Sequence, residues 1–195
     1  MIVVDVETSG VDPNKNSLLS VGAIEFENPE NQFYGECRVW EGAHIEPAAL
    51  AVNGFTENDA LDKKKKSDKE LLEDFLKWAA GCKERTLAGQ NPSFDRDFLR
   101  VTAHRYHIDW PFAQRTIDVH SIAYYHAVRK KAVIPLKREH SDLSLDAILA
   151  YCGLSPETKP HNGLNGAKLE TEALYRFFYE KPLFLEFKKL PIPWL

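Results

Sequence analysis

Met1-Ile2-Val3-Val4-Asp5-Val6-Glu7 is the stretch on which the fold turns. It is short, β-branched and apolar apart from two acids, so it reads as a strand buried on at least one face. A strand alternates its faces with a period of two, and Asp5 and Glu7 therefore project to the same side. Two acids on one face of such a strand cost energy unless something neutralises them. A divalent cation suits, because hard Mg²⁺ or Mn²⁺ prefers carboxylate oxygen. A sheet edge with both acids in water accounts equally well for the spacing.

Working outward, Gly10 and Asp12-Pro13-Asn14 supply turn chemistry before a second strand pattern over Ser17–Phe26. Asn28–Asn31 makes another turn, and a third strand follows around Phe33–Trp40, which predicts an antiparallel meander. The period then changes. Leu71, Leu72, Phe75, Leu76 and Ala79 recur at helical spacing behind Ser67 or Asp68 as a cap, with Gly81 as the stop. Short strands at Thr86–Ala88 and Arg115–Val119 alternate with helices over about 94–106, 120–128, 143–151 and 167–179. The result is an α/β chain with a mixed sheet.

The chain has 195 residues, 25 Lys+Arg and 29 Asp+Glu, for a net charge of −4. That length suits one domain with a real core, and the composition excludes a disordered or fibrous protein. No apolar run approaches the ~18 residues of a membrane span, so no membrane partner is expected. A strand beginning at Ile2 leaves no room for a cleavable leader. Cys37, Cys82 and Cys152 are odd in number and lack close-pair spacing, which argues against a disulfide framework or zinc knuckle and predicts a reducing, cytoplasmic location. Mild acidity also excludes gripping nucleic acid by bulk charge; such binding would need a local site or metal ions.

Two further segments carry chemistry. Asn91-Pro-Ser-Phe-Asp95-Arg-Asp-Phe-Leu99 sets Asp95 at the start of a helix, where an ordinary helix cap is the competing reading. Asp97 is a competitor without the same flanking pattern. His161-Asn-Gly-Leu-Asn-Gly166 precedes the last helix, and a lone histidine there is ordinarily a surface or packing residue.

Taken in order, Asp5-Val-Glu7-Thr-Ser-Gly10, Asn91-x-x-Phe94-Asp95-x-x-Phe98-Leu99 and the His161 segment resemble the motifs of the DEDDh (DnaQ-like) 3′–5′ exonuclease superfamily. Connecting pieces are similar too: Leu18–Ile24 to its second strand, Ala51–Thr56 to the segment before its first long helix, Thr116–Asp118 to its fifth strand, and Ser144–Ile148 to the helix before the histidine. The resemblance runs from residue 1 to about 179. It implies a ribonuclease H-like fold, with a five-stranded mixed sheet (three antiparallel strands, then two parallel) flanked by helices. An exonuclease domain would occupy residues 1–180. The apolar tail 181–195 would pack on that domain or dock to a second copy or to a polymerase or repair complex.

The resemblance also implies chemistry. Asp5, Glu7 and Asp95 would hold two Mg²⁺ or Mn²⁺ ions together with a fourth acid, Asp5 bridging both, and Glu7 would be catalytic as well as a ligand. His161 would be the general base. Phosphodiester hydrolysis would release 5′-mononucleotides from the 3′ ends of single-stranded DNA or RNA or of short oligonucleotides. The cations would meet the phosphate charge, which reconciles that substrate with a net charge of −4. Thr8 and Ser9 would contact the terminal nucleotide, with plain turn chemistry as the alternative. Leu19 or Leu18 would wedge against the last base, with core packing as the alternative.

One position departs. The family spaces its histidine and fourth acid as H-x₄-D, and counting on from His161 reaches Gly166. Asn165 offers a neutral oxygen one residue early, and Glu170 lies one helical turn further along; neither has the required spacing. The glycine also reads as a tolerated residue at a helix start. Its presence predicts a weakened nuclease, by about 10²–10⁴ in rate, with the loss of one positioned group. An altered chain, a natural weak enzyme and a catalytically inactive nucleic-acid-binding module all fit. Between His120 and His140, Tyr124, Tyr125, Arg129, Lys130, Lys131, Lys137 and Arg138 read as a surface that tracks single strands or as a solvated helix face. Lys63–Lys66 reads as a solvated loop.

Overall fold

The computed structural model describes Met1–Leu195. β1 (Ile2–Thr8), β2 (Leu18–Glu25) and β3 (Gln32–Arg38) form the antiparallel meander. β4 (Lys66–Ser67) pairs in parallel with the outer edge of β3. On the other side, β5 (Leu87–Gly89) runs parallel to β1, and β6 (Ile117–Asp118) runs parallel to β5. The sheet order is β4-β3-β2-β1-β5-β6, so it has six strands rather than the expected five. The extra strand comes from the lysine run. Lys65 pairs with Glu36 at 2.7 Å and Lys66 with Asp74 at 2.5 Å, while Arg38 donates to the Lys65 carbonyl at 2.6 Å. The Lys65 and Arg38 contacts hold this segment against β3, while Lys66 stays exposed and reaches outward to Asp74.

α1 (Pro47–Asn53) and α2 (Glu57–Leu61) are too short to show a helical period, and the sequence pattern missed both. Thr56 and Asp59 form a capping box at the start of α2. α3 (Asp68–Ala80) is capped by Ser67 and Glu70 in the same way. α4 (Ser93–Arg105) packs beside it. α5 (Val119–Lys130), a small hairpin of β7 (Leu136–Lys137) and β8 (His140–Ser141), α6 (Leu145–Tyr151) and α7 (Gly163–Tyr179) complete the chain, with a 3₁₀ turn at Leu185–Phe187.

β1 divides the core by its alternation. Ile2, Val4 and Val6 enter a cluster with Leu71, Phe75, Phe98 and Leu99 of α3 and α4. Met1 and Val3 enter the opposite cluster with Ala123, Ile148, Ala173 and Leu174 of α5, α6 and α7. The odd-numbered face of β1 therefore looks toward α7, and Asp5 and Glu7 are on it.

Two glycines let α7 come that close. A Cβ at Gly22 of β2 would overlap the Gly163 backbone, and one at Gly163 would come within 2.7 Å of the Asp5 carbonyl oxygen. The helix also begins earlier than the expected Ala167, because the Asn162 side chain caps it by accepting from Leu164 N–H at 3.1 Å and Asn165 N–H at 3.3 Å. At its other end the tail folds back over the domain. Arg176 is fully buried and donates to the carbonyls of Cys152, Pro191 and Phe187, while Trp194 stacks on Phe177.

Candidate active site

Asp5 and Glu7 stand on the α7 face of β1, and a β-bulge between Glu7 and Thr8 ends the regular ladder there. Asp95 comes from α4 on the other side. Its helix begins after Pro92, so Asp95 is not the cap. Its carboxylate instead accepts from Val6 N–H at 2.9 Å, which ties the first turn of α4 to β1 and corrects the cap reading. His161 precedes α7, with Nδ1 at 3.4 Å from a Glu157 carboxylate oxygen. Asp5, Glu7, His161, Glu157 and Glu170 line one cleft of about 320 Å³, with no lysine or arginine in its lining.

Electrostatics there are lopsided. Burial, then the charges of Glu170, Asp95, Glu7 and Glu157, hold the Asp5 carboxyl well above the usual carboxylate range. Burial, with Glu157 and Asp95 adding repulsion, pushes Glu7 up to about 7. Asp95 is also pushed up to about 7 by burial, against the pull of the Val6 N–H. Burial and the Asp95 charge likewise raise Glu170. As the side chains lie, no three His, Cys, Asp or Glu residues already close on a single point as an ion-holding group.

Three of the residues expected to touch nucleic acid have other employment. Leu19 is fully buried against Val39, Leu50 and Ala60, so it packs the core beneath α1 and α2 rather than presenting a wedge. The Ser9 hydroxyl donates to the His44 carbonyl at 2.7 Å and accepts from Ser17 N–H at 2.9 Å. The Thr8 hydroxyl donates to the Gly10 carbonyl at 2.6 Å. The burial of Leu19 corrects its wedge reading, while the Thr8 and Ser9 hydroxyls each donate to a backbone carbonyl.

The sequence pattern missed Glu157 and passed over Glu170. Glu157 lies in a loop with no period and left no signal. Glu170 did leave one, its place one helical turn beyond Gly166. Gly166 is the fourth residue of α7, closing its first turn with an N–H donated to the Asn162 carbonyl, and its Cα faces Asp5.

A family model described as an RNase T exonuclease matches residues 2–174. This chain belongs to the RNase T exonuclease family. Within the DEDDh superfamily that contains it, ribonuclease T of Escherichia coli strain K12 and of Shigella flexneri is 30% identical over 117 residues, 53% of this chain and 54% of theirs. The chain thus matches about half the length of these curated relatives. Its ribonuclease H-like fold recurs in E. coli exonuclease I solved with a dA16 oligonucleotide, at a TM-score of 0.72 and 16% identity over 92% of this chain and 41% of that one. The nuclease domain of 3′hExo, a DEDDh family member bound to rAMP, matches at a TM-score of 0.68 and 16% identity over 98% of this chain and 94% of that domain. No helix of this family member is long and apolar enough to cross a membrane.

Proposed function

We propose that this chain is a metal-dependent 3′–5′ exonuclease that releases 5′-mononucleotides from single-stranded DNA or RNA. One observation carries the reading: carboxylates from β1, from the loop before His161 and from α7 share one cleft with a histidine and no lysine or arginine, and the buried Asp95 is tied to β1 behind it without lining that cleft. A protein that merely tolerated these acids would pair them, since uncompensated buried charge destabilises the fold. An all-oxygen set of this kind fits hard divalent cations in chemistry. Ion binding would also supply what the side chains lack on their own, a reason to draw together.

Asp5, Glu7 and Asp95 would hold two Mg²⁺ or Mn²⁺ ions. Bound there, the ions would acidify a water and stabilise the departing 3′-oxygen. The protein's own part is positional. The Val6 N–H orients Asp95, and β1 presents Asp5 and Glu7 side by side. Glu157 lies against Nδ1 of His161, which leaves Nε2 as the nitrogen that accepts a proton from the attacking water. His161 is about one-third exposed, at the rim where a strand terminus would enter.

Gly166 supports a second reading, an inactive nucleic-acid-binding module. In that case affinity for an oligonucleotide would persist in chelator and rest on the exposed Arg129, Lys130, Lys131, Lys137 and Arg138. Digestion of end-labelled DNA and RNA oligomers separates the two. Mononucleotide release in Mn²⁺ that stops in chelator supports the exonuclease; chelator-resistant binding with no release from either polymer supports the module.

A further inference from the structure

We infer that Glu170 is this chain's fourth metal-binding acid, displaced by one helical turn from the family's position, and that Gly166 is the clearance this displacement requires. The inference rests on the exonuclease reading above and deepens it.

Residues 166 and 170 of α7 are four apart and share one face of the helix. Helical side chains lean toward the N-terminus, over the preceding turn. Glutamate is also one methylene longer than aspartate. Both effects carry the Glu170 carboxylate back toward the level of residue 166, across a rise of only about 6 Å.

Glu170 also has an unmet valence. It is 3% exposed, and Oε1 accepts from Gln90 N–H at 3.1 Å. Oε2 is buried without any hydrogen-bond partner. Such an oxygen is costly to leave bare, and here it belongs to a side chain lining the cleft beside Asp5 and Glu7. The repulsion between Glu170 and Asp5 places the two charges in one field.

Gly166 explains the other half. A Cβ there would overlap Asp5 Oδ2 and stand 2.9 Å from its Cγ. The Asp5 carboxylate thus fills the space that a side chain at 166 would need. A glycine within a helix costs up to about 1 kcal/mol relative to alanine, so its place at the end of the first turn of α7 invites an offsetting reason. Room for Asp5 supplies it. A fourth acid at 166 and Asp5 in its present pose exclude each other, whereas Glu170 and that pose coexist.

The test is Mn²⁺ binding, by calorimetry and by the loss of the free-ion EPR signal, with no nucleic acid present. Glu170→Gln keeps the size of the side chain and an acceptor for the Gln90 N–H. It is expected to lower Mn²⁺ affinity at one site by about tenfold or more. Asp97→Asn, on the outer side of α4 against Arg96 and Arg100, should bind as the wild type does. Gly166→Ala adds only the overlapping Cβ and should also weaken binding, with Gly166→Asp no better. Wild-type binding by Glu170→Gln, or tighter binding by Gly166→Asp, overturns the Glu170 assignment alone. A wild-type chain that binds no Mn²⁺ overturns the exonuclease reading with it.

Discussion

Glu170 and Glu172 lie two residues apart on α7, and both are buried, yet they meet burial in opposite ways. Two residues on a helix point about 200° apart, so the pair face different surroundings. Glu172 turns toward the tail. It accepts from Arg176 Nε at 2.7 Å and from the N–H groups of Leu183 and Phe184 at 3.0 Å. Its charge is matched and its oxygens are occupied, and the result is a clasp that holds the last residues on the domain. Glu170 turns toward β1, where it meets Asp5 and receives one backbone N–H. The same residue type on one helix is structural where the fold completes its bonding and a candidate ligand where the fold leaves it incomplete. Burial of a carboxylate does not by itself mark function; incomplete compensation does.

The largest effect that bears on this contrast is catalytic. Asp5→Asn should reduce release of mononucleotides from a labelled oligomer by about 10³-fold or more, while leaving the chain folded. A loss under tenfold would mean that the uncompensated end of α7 is not the reacting centre. Next comes the compensated end. Arg176→Met leaves Glu172 charged and buried with only its two backbone partners, and should cost about 3–5 kcal/mol in denaturant unfolding. Mn²⁺ affinity of the folded protein should be unchanged. A cost near zero would show that the clasp does not hold the tail.

A smaller effect lies in the pH dependence of melting in chelator. Glu7 and Asp95 keep their protons up to about pH 7 in the folded chain but lose them at ordinary carboxylate values when unfolded. The folded state therefore binds more protons across that interval, and stability should fall as pH rises from about 4 to 7. Saturating Mg²⁺ should flatten the fall. A melting temperature in chelator that climbs over the same interval would remove the case for strained acids. The smallest change is Glu170→Gln, which should flatten only part of that slope by removing one acid whose own proton burial holds above the usual carboxylate range.

Much of this was legible in the chain. The period-two placement of Asp5 and Glu7 put both acids on one face, and the structure shows that face turned to α7. The long helices were readable because their apolar stripes repeat over several turns. α1 and α2 were not, being too short for a period to register. The sixth strand was hidden because two residues carry no pattern, and only the contacts of Glu36 and Arg38 turn a lysine run into an edge. Asp95 carried a competing cap reading because an acid at a helix start serves either purpose, and the helix beginning after Pro92 removed that alternative. Leu19 had two readings that sequence alone could not rank, and its full burial chose the core.

Local chemistry thus sufficed for which residues are acids, which strand bears them, and which glycine interrupts the spacing, because periodicity and residue type are properties of neighbours along the chain. Which acid on α7 meets Asp5 was beyond it. That depends on how closely the helix crosses β1 and β2, and Gly22 and Gly163, 141 residues apart, set the approach by touching each other. A distance between segments is a property of packing, and no pattern within either segment encodes it.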